Sequence, residues 1–182
     1  MPAREMRARN AWASETLDGG VVPEIELRFV PAALDDALAQ PLLAELAVEY
    51  AQRYDSTPAT VLAWLRDNPA DEFAPPDGGM LIGLLDGRPV TGGGFRRFDA
   101  DTAELKRIWT DSEHRRRGYA MALLAELEAE IAARGYRKVY LMTGHRQPEA
   151  EKLYEAGGYH RLPAPRPSEG PVFPIAFEKA FS

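Results

Sequence analysis

The chain has 182 residues, 45% hydrophobic and 27% charged, which is enough apolar material for one domain with a sizeable core. Its net charge of −6 speaks against a dedicated nucleic-acid binder, which carries a basic surface. With no cysteine, it has no disulfide, thiolate metal site or cysteinyl nucleophile; its three histidines, His114, His145 and His160, lack metal-ligand spacing, so no metal is expected.

Residues 1–23 combine Arg4, Arg7 and Arg9 with a polar stretch to Gly19-Gly20, and read as a flexible extension ahead of a single domain over 24–182. No apolar run has the length of a membrane span and no signal-like apolar stretch occurs early, so a cytoplasmic protein without membrane contact is expected. Ile25, Leu27 and Phe29 alternate with polar neighbours as a first strand, which Pro31 should end. Pro41 opens a helix to about Arg53 with Leu42, Leu46 and Tyr50 on one side. Thr57 caps a second helix with Pro58 in its first turn, ended by Asn68-Pro69 near Arg66. Tyr50, Tyr54 and Trp64 have the spacing of core residues, with substrate contact as the alternative.

Pro75-Pro76 and Gly78-Gly79 mark a loop, after which Met80 to Leu85 and Pro89 to Arg97 form a hairpin about Asp86-Gly87. Gly92, Gly93 and Gly94 in the second strand imply a close approach to its backbone, by a substrate or by a packed neighbour. Thr102 to Thr110 is the central strand, where Glu104, Lys106 and Ile108 alternate with Leu105, Arg107 and Trp109. Charge therefore falls on both faces of an interior strand. Buried charge is costly unless paired or used, so this is where a site is expected.

Arg115, Arg116, Arg117, Gly118, Tyr119 and Ala120 connect that strand to a helix whose stripe is Ala120, Leu123, Leu124, Leu127 and Ile131, and which Gly135 stops. Such a turn aims free backbone N–H groups and the positive end of the helix dipole at one spot, which suits a phosphate. Lys138 to Thr143 is a strand parallel to the central one, completing a strand-helix-strand unit. Gln147 and Pro148 open a short helix to Ala156 with Tyr154 on its inner face. A proline-rich loop, Leu162 to Pro171, leads to a last strand, Val172 to Phe181, expected at the sheet edge.

Arg-x-x-Gly-x-Ala at a strand-to-helix junction, followed by Leu153-Tyr154-Glu155 and Gly158-Tyr159, resembles the GNAT superfamily of acyl-CoA-dependent N-acetyltransferases. The resemblance runs from about Ile25 to the C-terminus and is most specific over Glu104 to Tyr159. It implies a mixed α/β fold: a twisted, mostly antiparallel sheet of six or seven strands, a splayed parallel central pair and helices on both faces. It also implies that acetyl-CoA is the co-substrate, with its pyrophosphate on Arg115, Arg116, Arg117, Gly118, Tyr119 and Ala120. The backbone of Ile108, Trp109 and Thr110 would pair with the pantetheine arm and hold the oxyanion. Glu104, fourteen positions before Gly118, matches the general base of one branch of the family, with an ion pair to Lys106 or Arg107 as the structural alternative. Tyr154 matches the acid that protonates the leaving thiolate.

Gln147 stands where many members have Asn; it would cap its helix and contact the pantetheine amide. The implied reaction is direct acetyl transfer to an amine, with a small-molecule or amino-acid-like acceptor favoured and a peptide also open, in one acetyltransferase domain. A non-catalytic acyl-CoA sensor is the alternative function. Arg146 and Arg166 are candidate receivers of a substrate carboxylate, with solvated surface as the alternative. A homodimer through the last strand or the N-terminal extension stays open.

Overall fold

The structure, a computed structural model, describes residues 6–7, 26–67, 70–163 and 174–182. The expectations for most of residues 1–23, for Asn68-Pro69 and for Arg166 lie outside the described residues.

The strands are β1 (Met6–Arg7), β2 (Arg28–Pro31), β3 (Gly79–Leu85), β4 (Arg88–Arg97), β5 (Thr102–Thr110), β6 (Lys138–Gly144), β7 (His160–Arg161) and β8 (Pro174–Ala180). They form one sheet in the order β1-β2-β3-β4-β5-β6-β8-β7. Neighbours are antiparallel except β5 and β6, whose parallel pairing requires the helix between them to cross over. This is the mixed α/β sheet expected, with the two-residue β1 and β7 as its outermost strands. The last strand, expected at the edge, lies inside it: β8 pairs with β6 on one side and β7 on the other. Pro31 ends β2 as expected: it is the last paired residue, opposite Leu81, with one further bond from Ala32 N to Met80 O at 3.1 Å beyond it.

The helices are α1 (Gln40–Arg53), α2 (Pro58–Asp67), α3 (Tyr119–Ala133) and α4 (Pro148–Ala156). Thr57 caps α2 as its sequence position implies, its Oγ1 accepting from Thr60 N at 3.2 Å. Two cores result, one on each face of the sheet. Leu123, Leu124, Leu127 and Ile131 of α3 and Tyr154 of α4 bury Ala103, Leu105, Val139 and Leu141. Leu42, Leu43, Leu46 and Leu65 of α1 and α2 bury Met80, Ile82, Leu84 and Trp109.

β5 carries the irregularity that makes a site. Its register against β4 slips by one residue, so that Arg107 and Ile108 together face Gly93. Arg107 takes a left-handed φ of 57° to absorb the extra residue, which defines a β-bulge. Gly93 lets Ile108 pack closely here, since a Cβ would stand 2.6 Å from Ile108 Cδ1 and push that side chain aside. On its other side β5 pairs with β6 only over Thr102–Glu104 and Lys138–Tyr140. Beyond Glu104 the two strands separate, and the β6-facing edge of β5 is left open.

Candidate active site

The separation of β5 and β6 opens a cleft of about 820 Å³. Its floor is Leu105 to Thr110 of β5 and Met142 to Gly144 of β6; α1 and α2 wall one side, and the starts of α3 and α4 the other.

At one end lies the arginine turn. Arg116 (φ 62°) and Gly118 (φ 80°) are both left-handed, and α3 begins with no side chain capping its first N–H groups. Nothing lies within 4 Å of a Cβ built on Gly118. Free N–H groups, a helix dipole and an open approach together make an anion cradle, which fits the pyrophosphate of a CoA ester. Arg115, Arg116, Gly118, Tyr119 and Ala120 line the cleft; Arg117 does not, its Nη2 donating to Glu113 O at 3.3 Å instead. Arg115 is tied to Glu49 of α1 at 2.8 Å and donates to Thr110 O at 3.3 Å, so it braces the turn against α1. His114, bonded to Asp111, stacks on Tyr119 with ring centres 6.4 Å apart.

Ile108, Trp109 and Thr110 lie on the floor, on the open edge of β5. Their position is fixed from behind: Thr91 Oγ1 donates to Trp109 O at 2.8 Å, and Trp109 Nε1 donates to Glu45 at 3.1 Å. Tyr154 also lines the cleft; it is 6% exposed, with Tyr159 and Phe177 each 5.8 Å away between ring centres. Burial, and secondarily Tyr50, raises its phenol above the ordinary tyrosine value, so the hydroxyl keeps its proton at neutral pH.

Glu104 is not brought into the cleft. It sits where β5 and β6 still pair, buried, with Oε2 2.9 Å from Arg96 Nε and Oε1 3.2 Å from Lys106 Nζ. Both oxygens are committed, so the geometry is that of the ion-pair alternative, with Lys106 and Arg96 rather than Arg107 as partners. Gln147 lines the cleft but does not cap α4; its Nε2 donates to Tyr54 OH at 3.3 Å, because the side chain turns across the cleft rather than back over its own helix.

Several cleft residues carried no sequence motif. Tyr50, Tyr54 and Trp64, whose spacing suggested core, all line it, and Trp64 is 57% exposed. Arg53 at the end of α1 and Arg146 after β6 exchange hydrogen bonds to each other's carbonyl oxygens, each at 2.6 Å. Arg53 also pairs with Glu149, and Arg146 with Asp55 at 3.0 Å, so Arg146 is committed to bridging. Tyr54 meets His145 ring to ring at 6.0 Å. These contacts form a strap that joins the end of α1 to the segment after β6, next to the cleft residues Tyr54, Gln147 and Glu149. The carboxylates that line the cleft, Glu49 and Glu149, are both engaged by Arg53.

The acetyltransferase (GNAT) family model matches residues 41–159, from α1 to the end of the strand-helix-strand unit and α4. The chain belongs to the acetyltransferase (GNAT) family and is an acyltransferase. No curated protein matches it in sequence. Among solved structures it is similar to a proposed acyl-CoA N-acyltransferase from Klebsiella pneumoniae, with 25% identity and a TM-score of 0.67 over 85% of this chain and 97% of that one. The PaiA N-acetyltransferase of Thermoplasma acidophilum, solved in complex with coenzyme A, has the same fold at 17% identity, with a TM-score of 0.66 over 86% and 99% of the two chains. A GNAT acetyltransferase from Elizabethkingia anophelis with acetyl-CoA bound shares it at 16% identity, with a TM-score of 0.58 over 85% and 98%. No helix among the described residues is long and apolar enough to cross a membrane.

Proposed function

We propose that the protein transfers an acetyl group from acetyl-CoA directly to an amine, with the cleft between β5 and β6 holding both reactants. The observation that carries this reading is the coincidence, in one cleft, of the uncapped α3 turn at Gly118, the open edge of β5 and the protonated Tyr154. Bound acetyl-CoA supplies the acyl group as a reactive thioester.

The residues divide the remaining work. Arg116, Gly118 and the first N–H groups of α3 hold the pyrophosphate, with Arg115, Tyr119 and Ala120 shaping the same end. Backbone groups of Ile108, Trp109 and Thr110 extend the sheet to the pantetheine arm and turn an N–H toward the thioester oxygen, where it stabilises developing negative charge. Tyr154 donates its proton to the departing sulfur. Gln147, held by Tyr54, orients the arm between α1 and α4.

The amine must also lose a proton. Every carboxylate lining the cleft is already paired with an arginine, and Glu104 is enclosed by Arg96 and Lys106. That leaves water, or His114 bonded to Asp111 on the cleft wall, to take the proton, and Glu104 serves to fix the two cations beside the base of the cleft.

The test is release of free CoA from acetyl-CoA, with and without a panel of amines, amino acids and peptides. Acceptor-dependent release supports the transferase. Tight acetyl-CoA binding with no release to any acceptor overturns it in favour of an acyl-CoA sensor.

A further inference from the structure

The bulge in β5 places in the cleft a cation that makes no ion pair among the described residues. Arg107 is 6% exposed, yet it lines the cleft. Its Nη2 donates to Leu65 O, and its guanidinium lies over the Phe73 ring, 5.0 Å from the centre. Its Nε has no hydrogen-bond partner, and no carboxylate among the described residues comes within ion-pairing distance. The neighbouring cations differ: Arg96 holds Glu104 and Glu72, Lys106 holds Glu104, and Arg115 holds Glu49.

A buried charge left unpaired is costly, and an arginine fork satisfied on one side only presents its remaining donors to whatever enters. Burial also lowers its affinity for its proton, and the pull of Tyr50 and Glu72 offsets this only in part. The space around it is walled by Tyr50, Val61, Trp64 and Leu65. Tyr50, whose hydroxyl is pushed up to about 12 by burial and by Glu49, stays neutral and adds no competing anion.

We propose that Arg107 receives a carboxylate carried by the acceptor, so that the substrate amine belongs to an amino-acid-like molecule with an apolar or aromatic body. The assignment rests on the transferase reading above and narrows its substrate class. The side chain points to the α1 and α2 layer, through Leu65 and Phe73, rather than along the open edge of β5 assigned to the thioester arm. That favours the acceptor over the acyl chain as the source of the carboxylate.

Two measurements separate this proposal from the transferase reading. The first follows binding to CoA-saturated protein, by thermal shift, of the proteinogenic amino acids, their primary amides and their decarboxylated amines, on wild type, Arg107→Met and Arg107→Lys. Apolar amino acids should bind at least tenfold more tightly than their amides; Arg107→Met should abolish that preference and Arg107→Lys restore part of it. Arg107→Met itself should melt no lower than wild type, since it removes an unpaired buried charge while keeping the volume. Equal affinity for acid and amide, an unchanged preference in Arg107→Met, or no binding of any acid would overturn the proposal.

The second measurement follows CoA release with the same acceptors, using acetyl-CoA and succinyl-CoA. Transfer to decarboxylated amines as good as to amino acids leaves the transferase standing and removes the carboxylate site. Arg107-dependent binding of acids without transfer keeps the site and removes the transferase. Arg107 dependence that appears only with succinyl-CoA moves the carboxylate to the acyl group and overturns the proposal as stated.

Discussion

Tyr154 and Glu104 are both buried polar side chains on or beside the same strand pair, and their surroundings give them opposite uses. No protein group among the described residues hydrogen-bonds the Tyr154 hydroxyl, which faces the cleft, and burial keeps it protonated. Tyr154→Phe should lower kcat about 100- to 10,000-fold, the usual worth of one positioned acid, with little change in acetyl-CoA affinity. Because its phenol is raised above the ordinary 10.0, the rate should not fall on the alkaline side below about pH 10. The acid limb of kcat/KM should instead move with the pKa of each acceptor amine, since no enzymic carboxylate takes its proton; a limb that stays fixed across acceptors would point to a base in the protein. Glu104→Gln should leave that limb in place and act on stability. Breaking pairs with two partners that are each 26% exposed should cost about 2 kcal/mol, between the values for surface and buried ion pairs, and calorimetry would read it.

At the scale of elements, the start of α3 and the bulge of β5 do most to shape the cleft. Gly118 holds a left-handed φ with open space before it. Gly118→Ala should therefore cost about 1–2 kcal/mol of stability from backbone strain. It should also weaken CoA binding, because the methyl stands in the approach used by the pyrophosphate; titration calorimetry separates the two effects. The helix stripe and the arginine turn were readable because 3.6-residue periodicity and glycine placement are local properties. The bulge was not. Strict alternation put Arg107 with Leu105, whereas the inserted residue moves Arg107 and Trp109 to the face of Glu104 and Ile108 to the face of Leu105. A one-residue slip reverses every side chain beyond it, and no local pattern announces it.

Across the whole molecule, the strap joins α1 to the loop after β6, elements separated by some ninety positions in sequence. Arg53 is its centre, contacting Arg146 O, Glu149 and Glu49. Arg53→Gln should raise KM for the acceptor severalfold while changing kcat little, because it loosens the strap and leaves Tyr154 and β5 untouched. Hydrogen exchange should then quicken at residues 53–56 and 145–149; if KM and exchange both stay as in wild type, the strap does not gate the cleft.

The sequence by itself determined the main elements, the glycine turn that opens α3 and the inward placement of Tyr154, since each follows from spacing along one helix or at one junction. Only the tertiary structure decided which charges meet. Glu104 is enclosed by one arginine from β4 and one lysine from β5; among the described residues no carboxylate pairs with Arg107; and Tyr54 and Trp64 line the cleft, as does Tyr50 while packing on the core. Burial and pairing depend on neighbours brought from distant positions, so the cost or use of a charge is settled only once the sheet and its two helical layers have closed around it.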